Sequence, residues 1–119
     1  MPKRSHGKID AIQPLLDRAA ALAGAGIVKC SEYAGLGYDR QYLYGGGLFT
    51  VEIKSSRKAR LTKIELKRQK QFIRFNVPYL VICSPEELLA ALGVPLATIL
   101  EVLATLHGEK SPKLDLENS

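Results

Sequence analysis

The sequence predicts an α/β chain, a mixed sheet flanked by helices in the order α-β-β-β-α-β-α-α. Three short apolar segments joined by glycine turns lie between residues 27 and 54, the pattern of an antiparallel meander. A capped amphipathic segment over 62–76 then leads to the continuous apolar run Tyr79-Leu80-Val81-Ile82-Cys83, as a crossover helix leads to a parallel strand. Apolar residues at helical spacing open the chain and close it.

Residues 1–8 are polar and basic and read as a loose arm. Asp10 and Gln13 have capping-box spacing, and Pro14 falls in the first turn expected from that cap, where a missing N–H costs little. Ile12, Leu15, Leu16, Ala19, Ala20, Leu22 and Ala23 make an apolar stripe that Gly24 and Gly26 end. Strands are expected over 27–33, 38–44 and 48–54. Gly35-Leu36-Gly37 redirects the chain between the first two, and Gly45-Gly46-Gly47 closes a hairpin between the last two. The stretch 55–60 is a cationic loop.

Thr62-Lys63-Ile64-Glu65 is a second capping box, and Pro78 stops its helix by Asn76. Ile64, Phe72 and Phe75, with Leu66 and Ile73 nearby, are expected on its buried side. The run 79–83 reads as an interior strand covered on both faces. Ser84-Pro85-Glu86-Glu87 supplies N-cap, N1 proline and N3 acid for a helix stopped by Gly93. Leu96 to Leu106 forms a last amphipathic helix, and 109–119 reads as a disordered polar tail. One folded domain is therefore expected over 9–108.

With 119 residues the chain is long enough for one core and short for two. No apolar run approaches the roughly 20 residues that cross a bilayer, so neither a membrane partner nor a secretory signal is expected. Cys30 and Cys83 lie in apolar strand-like segments and read as core thiols of a cytoplasmic protein. His6 and His107 lack ligand spacing, which argues against zinc. The formal charge of +5 is unevenly spread: nine basic residues stand against Glu65 alone between Lys54 and Arg74. The remainder of the chain is net acidic, so a polyanion is the expected partner of that stretch.

The site lies on the strand 48–54. Alternation sends Phe49, Val51 and Ile53 to the core face and Thr50, Glu52 and Lys54 to the other, which is expected to present a carboxylate beside an ammonium. Asp39, thirteen residues upstream, falls on the neighbouring hairpin strand. Asp39 and Glu52 can supply two carboxylate oxygens, and Ile53 its carbonyl, to a hard cation such as Mg²⁺ or Mn²⁺. Lys54 can orient a water or offset charge in the transition state. Taken alone, a Glu-x-Lys strand is also what a surface ion pair looks like; the spacing to Asp39 and the adjacent basic helix favour a nuclease centre.

Lys63, Lys67, Lys70 and Arg74 recur at helical spacing on one face. With Arg57, Lys58 and Arg60 of the loop they are candidates for contacts to DNA phosphates, a solvated face being the plainer alternative. Glu65 reads as a cap, and the tyrosines 33, 38, 42 and 44 as sheet aromatics, with Tyr38 placed to pack on a nucleotide.

Asp39, Glu52-Ile53-Lys54 opening thirteen positions later, a basic loop and a helix opening at Leu61-Thr62 together resemble the PD-(D/E)xK nuclease superfamily. The chain is most like its small stand-alone VRR-NUC domains of phage and bacteria, with Holliday-junction resolvases a related branch. The likeness spans residues 8–92, from Lys8, Asp10 and Gln13 to the helix start at Ser84. It implies a restriction-endonuclease-like core and a Mg²⁺- or Mn²⁺-dependent endodeoxyribonuclease, with selectivity for branched DNA within its range. It also implies a homodimer and no small-molecule cofactor. In the family the residues matching Asp39 and Glu52 bind metal, that matching Ile53 lends its carbonyl, and that matching Lys54 assists attack.

The chain has Tyr38-Asp39 where the family has Pro-Asp, and polar Arg40 and Gln41 where apolar residues are usual. Leu15 and Leu16 stand where many members carry a first-helix acid, with Asp10, Gln13 and Asp17 nearby. Gln69 or Glu65 matches the glutamine of the second helix. A nucleic-acid-binding module that has lost turnover is the alternative reading, and a partner-binding protein using 96–106 is a third. No recognition helix is present, so base-sequence readout is not expected.

Overall fold

Glycines at two adjacent positions set the central hairpin. In the computed structural model, which describes residues 6–109, Gly45 and Gly46 hold φ of 56° and 83°, the left-handed values that a two-residue turn requires. They join β2 (Arg40–Tyr44) to β3 (Gly47–Ile53), with Tyr44 opposite Gly47 and Arg40 opposite Val51. β1 (Gly26–Lys29) pairs antiparallel with β2, and β4 (Tyr79–Ile82) lies parallel to β3, so the sheet order is β1-β2-β3-β4. The crossover through α2 (Lys63–Arg74) lets β4 return in the direction of β3.

The other three helices, α1 (His6–Leu22), α3 (Pro85–Leu92) and α4 (Leu96–Glu109), build the core on one face of the sheet. Tyr42, Val51, Ile53 and Ile82 meet Leu16, Ala19 and Ala20 of α1, Leu88, Leu89 and Leu92 of α3, and Val102 and Leu106 of α4. Each large aliphatic side chain buried here contributes about 1.5–3 kcal/mol relative to exposure. The mixed α/β sheet and the element order are those the sequence predicts.

Several boundaries and faces differ from expectation. α1 begins at His6, so Asp10 lies within the helix instead of capping it, and Pro14 is internal. The helix passes Pro14 because the ring fixes φ at a helical value while removing a single N–H. Residues 6–8 of the expected arm are therefore helical; residues 1–5 of the arm and 110–119 of the tail lie outside the described residues. α4 extends to Glu109, whose carboxylate pairs with Arg18 of α1 at 2.8 Å.

β1 ends at Lys29 and passes into a 3-10 turn at Cys30–Glu32, after which Tyr33 is exposed. β4 is an edge strand with Val81 exposed, not an interior one, because no strand among the described residues lies beyond it.

α2 buries no residue fully. Ile64, Leu66, Ile73 and Phe75 are exposed, and the half-buried residues are Glu65, Arg68, Gln69 and Phe72. The reason lies in what the helix covers: the face of β3 opposite the core carries Thr50 and Glu52, which reward polar partners. That face is covered where an open one was expected, since Thr50 and Glu52 are 2% and 3% exposed. Both cysteines are free thiols, Cys30 buried and Cys83 partly so. No helix among the described residues is long and apolar enough to cross a membrane.

Candidate metal and nucleic-acid site

The glycine turn ahead of Asp39 is clamped from two sides. Arg68 of α2 donates from Nε to the Leu36 carbonyl at 2.6 Å and from Nη2 to that of Gly35 at 3.3 Å. The Tyr79 hydroxyl donates to the Gly37 carbonyl at 2.6 Å. Gly37 has φ of 83°, and a Cβ there would meet the Arg68 Cβ at 2.9 Å. The close approach of α2 thus requires glycine.

Asp39 then continues the β2–β3 ladder one step past the strand. Its amide donates to the Val51 carbonyl at 3.0 Å, and its Oδ2 accepts from the Ile53 amide at 2.8 Å. A strand residue's N–H and C=O share one edge, so the Ile53 carbonyl belongs to the Asp39 side of β3. Asp39, Glu52, Ile53 and Lys54 are brought together as the sequence predicts.

Glu65 joins them. Its Oε1 lies 2.8 Å from the Lys54 ammonium, while Glu52 Oε2 lies 3.4 Å from it. The same Glu65 oxygen accepts from the Thr62 amide at 2.8 Å, and its own amide donates to Thr62 Oγ1, so the capping box is formed as expected. Glu65, expected as a cap or in the place of the family's second-helix glutamine, thus caps α2 and also holds the site lysine, because α2 starts over the end of β3.

Two carboxylates pair with one ammonium, with Asp39 close enough to act on Glu52, and the charges respond. Burial, a hydrogen bond with Glu65 and the negative charge of Asp39 push Glu52 up to about 9. Burial also raises Asp39, against the pull of the Ile53 amide. Burial works against the Lys54 charge, but Glu65 and Glu52 more than offset it and hold the ammonium above its usual value. Glu65 is lowered despite its burial, through hydrogen bonds with Glu52, Lys54 and Thr62.

Such a cluster fits a hard divalent cation by its chemistry. It is all oxygen and carries more acid than one lysine neutralises, so added positive charge would stabilise the ionised Glu52. Among the described residues no three acid, histidine or cysteine side chains are arranged to hold a metal together. The groups that could hold such an ion are the Asp39 and Glu52 carboxylates and the Ile53 carbonyl, a small set that would leave Mg²⁺ several waters.

Of the loop and helix cations, Lys58, Arg60, Lys63, Lys67, Lys70 and Arg74 are exposed and take part in no ion pair among the described residues. Arg57 is committed differently, to Glu87 at the start of α3. Tyr38 packs edge-on against Phe72 with ring centroids 5.8 Å apart, and Phe72 does the same with Tyr79 at 5.7 Å, which seats α2 on the sheet.

The first-helix acid has no substitute in Asp17. Its carboxylate accepts from Arg40 Nε at 3.0 Å and from the Tyr42 hydroxyl at 2.8 Å. Arg40 also donates to Ser31 Oγ at 2.8 Å and to the Asp39 carbonyl at 2.9 Å. A buried polar network thus explains why Arg40 stands at an inward position, and nothing in local spacing signals a pair 23 residues apart. No family model, curated protein or solved structure matches the chain.

Proposed function

We propose that the protein is a Mg²⁺- or Mn²⁺-dependent DNA endonuclease built on a PD-(D/E)xK-type core. The observation that carries this reading is the convergence of Asp39 and Glu52 on the Ile53 main chain beside Lys54, at the foot of a helix with one exposed basic face. When bound, the cation supplies Lewis-acid assistance to attack on the phosphodiester. Asp39 and Glu52 would hold it through carboxylate oxygens and Ile53 through its carbonyl. Lys54 would offset charge developing on the phosphate oxygens and orient the attacking water. Glu65 keeps the lysine in register with α2. Lys58, Arg60, Lys63, Lys67, Lys70 and Arg74 track the DNA backbone without reading sequence, and branched duplexes are candidate substrates.

The test is cleavage of duplex, nicked and four-way-junction DNA with Mn²⁺. Cutting is expected, and Lys54→Ala should abolish it while leaving binding intact. Uncut DNA, or a variant that cuts like its parent, would sink the proposal.

A second reading is favoured by two observations: Glu52 is 3% exposed, and the Asp17 carboxylate of α1 is taken up by Arg40. On that reading the chain is a binding module without turnover, and salt-sensitive DNA binding persists in EDTA with no heat on metal titration. A second copy of the chain is proposed to cover Leu96 and Leu100, which stand exposed one turn apart on α4.

A further inference from the structure

Beyond the basic stripe, α2 ends in an exposed aromatic. Phe75 is the C-cap residue and is 65% exposed. The Arg74 guanidinium sits over the ring, 5.6 Å from its centroid. Beside it opens an apolar cavity of about 150 Å³ lined by Gln71, Phe72, Phe75 and Val77. Asn76, at φ 61°, turns the chain so that Val77 folds back, its amide donating to the Phe72 carbonyl at 2.8 Å. That turn forms one wall of the cavity.

We propose that this slot takes one unstacked nucleobase, so that the strand followed by the α2 stripe is single-stranded where it passes Phe75. The inference rests on the nucleic-acid reading above and adds the substrate class, DNA with an unpaired segment. Two facts select a base over a protein side chain. Arg74 sits over the Phe75 ring and Lys67 and Lys70 stand exposed on the same helix, and lysine is depleted from the cores of protein interfaces. Combining a cationic track with an exposed aromatic face is how sequence-tolerant single-strand sites are built, since every base has a π-face. Lys63 to Arg74 covers about 16 Å of helix at 1.5 Å per residue. The slot and the acid cluster can therefore engage different nucleotides of one strand.

The experiment uses the full chain in EDTA with a fluorescent single-stranded oligonucleotide and a duplex of equal length. Phe75→Ala should weaken single-strand binding about tenfold and leave duplex binding within twofold. Phe75→Leu, which keeps the apolar volume, should lose as much as alanine, because the aromatic face is what binds. An oligonucleotide carrying 5-iodo-deoxyuridine should crosslink to Phe75 on irradiation, located by mass spectrometry. Full rescue by leucine, or equal single-strand affinity in a folded Phe75→Ala, overturns the slot while parental binding and cutting leave the nuclease reading standing. A parent that binds neither oligonucleotide overturns both. Loss of self-association in Phe75→Ala with unchanged DNA affinity would identify the patch as a protein contact and also overturn the slot.

Discussion

Glu52 ionises near 4.5 in an unfolded chain and near 9 in the folded one. The native state therefore holds a proton that the unfolded state has released, and the stability from this group falls as pH rises from 4.5 through about 9. Asp39 is raised and adds in the same direction; Glu65 is lowered, so its contribution is present above its ordinary value and does not reverse the slope. In EDTA the melting temperature should fall between pH 5 and pH 9, by at most about 1.4 kcal/mol of stability per pH unit from one proton. Glu52→Gln should flatten that profile, and Mn²⁺ should raise the midpoint more at pH 9 than at pH 6, since the ligand must be ionised. A parental profile as flat as that of the variant would remove Glu52 from the account. At Asp17, alanine leaves the 5%-exposed Arg40 and the Tyr42 hydroxyl without their acceptor. Urea denaturation should report a loss of about 3–5 kcal/mol, and the double variant Asp17→Leu, Arg40→Met should recover much of it.

Among the elements, the turn before β2 and the start of α2 are mechanically one unit. Gly35 and Gly37 have nearly equal left-handed angles, 82° and 83°, yet an added Cβ at Gly35 meets nothing within 4 Å while one at Gly37 meets the Arg68 Cβ at 2.9 Å and the Ile64 carbonyl at 3.0 Å. Both alanine variants carry the backbone strain, about 1–2 kcal/mol. Only Gly37→Ala also forces α2 away from the turn. It should lower DNA cleavage well below Gly35→Ala at comparable thermal stability, because Asp39 and Glu65 move apart together. Equal activity of the two variants would show that the clamp does not position the site. The capping box at Thr62, the Ser84 N-cap with its N1 proline and the Gly93 cap at φ 86° are formed as predicted, since each depends on residues within four positions.

At the scale of the whole molecule, the helices divide their labour. α1, α3 and α4 supply the core, and α2, with no buried residue, supplies charge and a cover for the polar face of β3. Removing cations from α2 should therefore change binding without unfolding the chain. Lys67→Ala and Lys70→Ala should each reduce the salt slope of DNA affinity by about 1, measured by fluorescence anisotropy across a salt series. Light scattering should report a dimer for the parent and a monomer for Leu96→Glu, Leu100→Glu. An unchanged mass would reject α4 as the pairing surface.

By itself the sequence determined the hairpin, the caps of α2 and α3, the α/β order and the grouping of Asp39, Glu52, Ile53 and Lys54. Those follow from alternation, turn chemistry and short spacings, which act between neighbours along the chain. Only the tertiary structure decided that Glu65 holds Lys54, that Asp17 belongs to Arg40, that β4 is an edge and that Glu52 is covered, its pKa raised by burial. None of these is written in a spacing, because each depends on which face of the sheet a helix covers, and that is settled by competition among all the surfaces the chain must bury at once.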